Sequence, residues 1–133
     1  MKNDKMQMSY VPQTTEHKLI TTNGTTDFTL PHGAIVEDVV VVKKVLDATA
    51  TTATLNIGTT SSANYYTGTA IDVDTTNGSV GVAGIDAAKM MEAVASDRIV
   101  RITTANLANA AVRLYVWVKY RFAPSLTTPT RVA

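Results

Sequence analysis

The sequence predicts an all-β chain folded as an antiparallel β-sandwich, with an extended N-terminal arm and at most one short helix. Three observations lead there. Threonine supplies about a sixth of the 133 residues, and a β-branched side chain suits the half-buried surface of a pleated sheet. Turn chemistry recurs along the chain, with Asn23-Gly24, Pro31, Gly33, Gly58 and Asn77-Gly78 separating apolar segments. In Ala111–Phe122, Val112, Leu114, Val116, Val118, Tyr120 and Phe122 alternate with Arg113, Tyr115, Trp117, Lys119 and Arg121. A period of two sets these groups on opposite sides of one strand.

Taken in order, residues 1–16 show no sustained period and contain Pro12, which predicts an extended arm with a short strand near Tyr10–Val11. His17–Thr22 reads as a strand, and Asp27–Leu30 as its return. Asn23-Gly24 between them suits a type I′ hairpin turn, whose two central residues need positive φ. Pro31 and Gly33 mark a corner. Ile35–Leu46 is Val-rich and alternates poorly, so it predicts a central strand buried on both faces, with a bulge or an edge at Glu37-Asp38. Ala53–Ile57 is a strand, Thr59–Gly68 a loop tipped by Tyr65 and Tyr66, and Ala70–Val73 a short strand. Gly78–Gly84 reads as an irregular loop. Ile85–Asp97, rich in Ala, Met, Glu and Lys, is the helix candidate, one or two turns long. Arg98–Thr104 and Ala111–Phe122 complete a set of short strands at sandwich spacing. The sandwich is placed at residues 17–123, and residues 124–133, with Pro124 and Pro129, read as an extended tail.

Composition narrows the function classes. A chain that is 45% hydrophobic can bury a core. Its charged fraction of 17% is low for a globular domain. That suits a surface solvated by Thr or covered by partners. The net charge is +1 and the longest basic run is Lys43-Lys44, which argues against nucleic acid as a partner, since phosphate binding needs clustered Lys and Arg. Without cysteine there is no disulfide, zinc-thiolate site or thiol nucleophile. The polar N-terminus lacks the apolar core of a secretory signal, and Val39–Val42 is too short to cross a membrane.

No motif carries catalysis. Asp72–Gly78 begins like a calcium loop, but position five from Asp72 is Thr76, position six is Asn77 rather than Gly, and position twelve is Ala83 rather than Glu. A strand ending in an Asn-Gly turn accounts for it. Gly78, Gly81 and Gly84 match no phosphate-binding spacing. His17 and His32 lack metal-ligand spacing and sit beside no nucleophile elbow. Glu92 and Asp97 could pair as glycosidase carboxylates, but capping or solvation explains them more simply. Hence no catalytic, metal or cofactor residue is expected. The residues singled out are contact residues: Arg113, Tyr115, Trp117, Lys119 and Arg121 on one strand face, Tyr65 and Tyr66 on a loop tip, and Tyr10 in the arm. Tyr, Trp and Arg are the types enriched at binding hot spots.

The order of segments carries a resemblance. "FTLPHGAIVEDVVV", "TATLNIGTTSSANYY" and "DRIVRITTANLANAAVRLYVWVKYRF" place a Pro31-His32-Gly33 corner before a Val-rich strand. Leu55-Asn56-Ile57-Gly58 then precedes a loop, and Val112–Tyr120 forms a closing strand. Over Phe28–Phe122 this resembles the capsid decoration, or cement, proteins of tailed bacteriophages. The resemblance implies a jelly-roll-like sandwich that forms homotrimers or dimers on the outer surface of the head, after synthesis in the host cytoplasm. It implies binding across major capsid protein subunits to stiffen the shell, with neither nucleic acid nor membrane as partner. Other virion parts (a head-fibre base, a tail or adaptor subunit, a receptor-binding module) are the alternative, and a carbohydrate-binding sandwich ranks behind them.

Overall fold

The structure is a computed structural model and describes residues 11–122. Its strands are β1 (Gln13–Thr14), β2 (Lys18–Ile20), β3 (Gly24–Thr29), β4 (Ala34–Val45), β5 (Thr54–Gly58), β6 (Ile71–Asp72), β7 (Gly81–Ala83), β8 (Glu92–Ala93), β9 (Ile99–Ala105) and β10 (Arg113–Phe122). They form two sheets with antiparallel pairing throughout, which is the sandwich that composition and spacing predict. In the six-stranded sheet β10 lies between β4 and the short strands β1 and β2, while β7 and β8 share the far edge of β4. The four-stranded sheet runs β3-β9-β5-β6.

The core lies between the sheets. Val36, Val39 and Val41 of β4 and Leu114, Val116 and Val118 of β10 face Phe28, Leu55, Ile57, Val100 and Ile102 of the other sheet, all buried. Burying each such side chain stabilises by about 1.5–3 kcal/mol. Strict alternation holds along β9 and along β10 as far as Val118, where every second residue is buried. On β4 it slips once. Lys119 pairs with Asp38 and Tyr120 with Val36, so Glu37 is an extra residue. This is the bulge expected at Glu37-Asp38. It lets Val36 and Val39, three apart, both face the core. A second register shift leaves Lys44 unpaired between Val45 and Lys43.

Several expectations need correction. Asn23-Gly24 is not a hairpin turn, because β2 pairs with β10 and β3 with β9, in different sheets. Gly24 does hold a positive φ of 128°. However, Asn23 is committed to the distant loop: its Oδ1 accepts from the Leu107 N–H at 2.7 Å and its Nδ2 donates to the Leu107 carbonyl at 3.2 Å. The dipeptide therefore carries the chain across the sandwich. Part of the Gly78–Gly84 loop is strand β7, paired with β4 at Val41–Lys43.

The helix expected over Ile85–Asp97 is a single 3-10 turn, Ala87–Lys89, followed by β8. Local propensity loses to β4, whose free edge takes the backbone donors. The Met91 N–H donates to the Val36 carbonyl and the Val94 N–H to the Ala34 carbonyl. Met91 adopts a φ of 69° to make the switch. The residues read as arm already enter the sheet at β1, where the Thr15 N–H also donates to the Val118 carbonyl at 2.9 Å.

Candidate partner interface

The outer face of the six-stranded sheet collects most of the contact residues singled out from the sequence. Register fixes its rows. Tyr115 pairs with Leu19 on β2 and with Val42 on β4, and Val42 pairs with Val82 on β7. Leu19, Tyr115, Val42 and Val82 therefore form one apolar row across four strands. In the next row Trp117 pairs with Val40, and the His17 ring lies against Trp117 with centroids 4.4 Å apart. Leu19 is 50% exposed and Val82 70%, with Val80 beside it at 66%. The strand expected to be buried on both faces is thus sealed on one and half-open on the other. The Val run that suggested double burial supplies the apolar centre of an open surface.

Charge sits at the ends of this face. Arg113 Nη1 donates to the Ala110 and Val112 carbonyls at 2.9 and 2.8 Å. Arg121 is ion-paired with Glu37 across the bulge. Lys119 lies opposite Asp38, but Asp38 Oδ1 accepts from the Val39 and Ile85 N–H groups at 2.8 and 3.1 Å. Among the described residues neither Arg113 nor Lys119 has a carboxylate partner within ion-pair distance. An apolar centre with a polar rim is the usual build of a protein contact surface.

The Tyr65-Tyr66 pair is not a free loop tip. Tyr66 is 1% exposed and belongs to the core, so it offers no surface to a partner. Burial, then the negative field of Glu92, pushes its hydroxyl up to about 12. Tyr65 points outward and is held there, its hydroxyl donating to Glu92 Oε1 at 2.6 Å with Lys89 Nζ 4.0 Å above its ring. Thr60 on the same loop donates to Asp97. Glu92 and Asp97 thus anchor the loop, and the tyrosine rings stack edge to face at 5.1 Å. Tyr10 lies outside the described residues.

The buried charged residues are structural in their contacts. Asp47 is fully buried. Its Oδ1 accepts from the Thr49 and Ala50 N–H groups and its Oδ2 from those of Ala108 and Asn109. Burial opposes its ionisation, but the four donors prevail and hold its carboxyl at about 2. It therefore pins the β4–β5 turn to the β9–β10 loop. Asp74 ties its own turn through the Thr76 and Asn77 N–H groups, where a calcium loop would present ligands. Among the described residues no cluster of three or more His, Asp or Glu could hold a metal ion, and no helix is long and apolar enough to cross a membrane. His17 stacks on Trp117 and His32 is exposed at the corner, so the two histidines do not converge.

Comparison with known proteins gives one consistent answer. No family model matches the chain, and no curated protein is similar to it. Among solved structures, a chain of the cyanophage Pam1 capsid asymmetric unit matches with 29% identity and a TM-score of 0.53, over 80% of this chain and 85% of that one. A chain of the acid-stable capsid of the Helicobacter pylori bacteriophage KHP30 matches with 18% identity and a TM-score of 0.52, over 86% of this chain and 95% of that one. The second likeness shows the fold. The first adds sequence similarity over most of the length, and this likeness to a phage capsid component supports a structural role in the virion.

Proposed function

We propose that the protein decorates and stiffens a bacteriophage head, binding its outer surface across neighbouring major capsid protein subunits and acting without catalysis. The carrying observation is the likeness to a Pam1 capsid chain over 80% of this sequence. The exposed apolar rows on the six-stranded sheet support a binding role. The mechanism is non-covalent bracing. Each copy contributes a modest contact, and self-association into a homotrimer or dimer multiplies it, because linked contacts raise the effective concentration of one another. Residues 1–12 are a further candidate contact with the shell.

The test uses heads assembled without this chain. Adding the purified protein should raise their thermal stability and saturate at hundreds of copies. A ring-like stoichiometry of about a dozen copies would point to an adaptor or tail part instead, and failure to bind would remove the proposal. Deleting residues 1–12, which stops short of β1, should weaken attachment and leave the melting temperature of the isolated protein unchanged.

A further inference from the structure

We propose that the outer face of the six-stranded sheet is the surface that meets the shell, and that it fits an acidic protein surface: an apolar ridge flanked by Asp or Glu. The inference rests on the virion reading above and specifies the contact. Leu19, Tyr115, Val42 and Val82 line up across four strands, and Leu19 and Val82 remain half or more exposed. Covering them removes apolar surface from water. Trp117, its ring already ordered against His17, is placed to act as an anchor.

Charge selects the occupant. Arg113 lies beyond one end of these rows and Lys119 beyond the other. Among the described residues neither is ion-paired with a carboxylate, whereas Arg121 and Glu37 pair with each other. A second copy docked face to face about a two-fold axis would bring these cations toward one another, and like charges across an interface oppose pairing. A partner offering carboxylates at both ends completes the set. The outer face of the four-stranded sheet makes the opposite case. There Asp27 already neutralises Arg101, and Thr25, Thr103 and Asn56 suit water.

The experiment measures binding of folded variants to heads assembled without this chain, at low and raised salt, with the mass of each free variant as a second readout. Trp117→Ala is expected to weaken head binding about tenfold or more. Arg113→Glu with Lys119→Glu is expected to do the same and to flatten the salt dependence. Thr103→Arg, on the other sheet, is expected to bind like the parent. Parent-like binding by both outer-face variants overturns the assignment. So does a change in the mass of the free protein with head affinity intact, which would give the face to self-association. If the parent protein itself does not bind heads, the virion reading fails, and the assignment fails with it.

Discussion

On the four-stranded sheet the outer face presents Thr25 beside Thr103 and Asn56, then Asp27 held by Arg101 through Nε at 2.8 Å and Nη2 at 2.9 Å. On the six-stranded sheet the outer face presents Leu19, Tyr115, Val42 and Val82, then Trp117 and Val40. Both sheets bury their inner faces equally well, with Val, Leu and Ile sealed on each. The difference therefore owes nothing to folding. Threonine hydroxyls and a closed ion pair finish a surface that stays wet. Exposed Val and Leu around aromatic rings leave one that gains from being covered. A chain low in charge can keep one face solvated with Thr and reserve the other for contact.

Substitutions sharpen this contrast along β10 itself, where neighbours point to opposite sides. Leu114→Ala empties a fully buried site on the inner side and should cost about 3 kcal/mol of unfolding free energy in denaturant titration. The adjacent Tyr115→Ala, on the outer side, should cost less stability and instead remove about 2 kcal/mol of head-binding affinity. Equal stability losses at the two positions would mean that the outer face is covered within the molecule.

Asp47→Ala removes the acceptor of four backbone donors and should destabilise by about 3 kcal/mol, measured the same way. Its pH signature has a fixed sign. The folded carboxyl, at about 2, lies below its ordinary value of 3.8. The stabilisation is therefore full above that value and lost as pH falls through about 2. An Asp47→Asn variant should show a flatter stability profile between about pH 4 and pH 2 than the parent.

The smallest effect belongs to the wet face. Arg101→Gln breaks an ion pair that is about one-third exposed, so it should change stability by less than about 1 kcal/mol, with its effect shrinking in high salt, and leave head binding alone.

Much of the architecture was legible in the sequence because burial on one face imposes a period of two. β9 and β10 lie close to where alternation and turns placed them, and the Glu37-Asp38 interruption marks a real bulge. What misled was local signal overruled from a distance. Ala87–Lys89 keeps only one turn because β4, some fifty residues earlier, claims the following N–H groups. Asn23-Gly24 looks like a hairpin, yet its side-chain partner is Leu107.

The site was half legible. Arg113, Tyr115, Trp117, Lys119 and Arg121 do share one face, as alternation required. Leu19, Val40, Val42 and Val82 were missed because a Val-rich run looks the same whether its second face is covered or open. Tyr65 and Tyr66 read alike as a loop tip, and nothing local showed that Tyr66 turns inward. Asp47 gave no signal, since its Ala108 and Asn109 donors lie sixty residues away.

Hydroxyl-radical footprinting of the head-bound protein against the free protein tests the central claim most directly. Trp117 and Tyr115 should lose most of their oxidation on the head, while the Thr-rich face of the other sheet, reported by an Asn56→Met probe, should oxidise equally in both states. Undiminished oxidation of Trp117 and Tyr115 on the head, with protection at the Asn56→Met probe, would contradict the account.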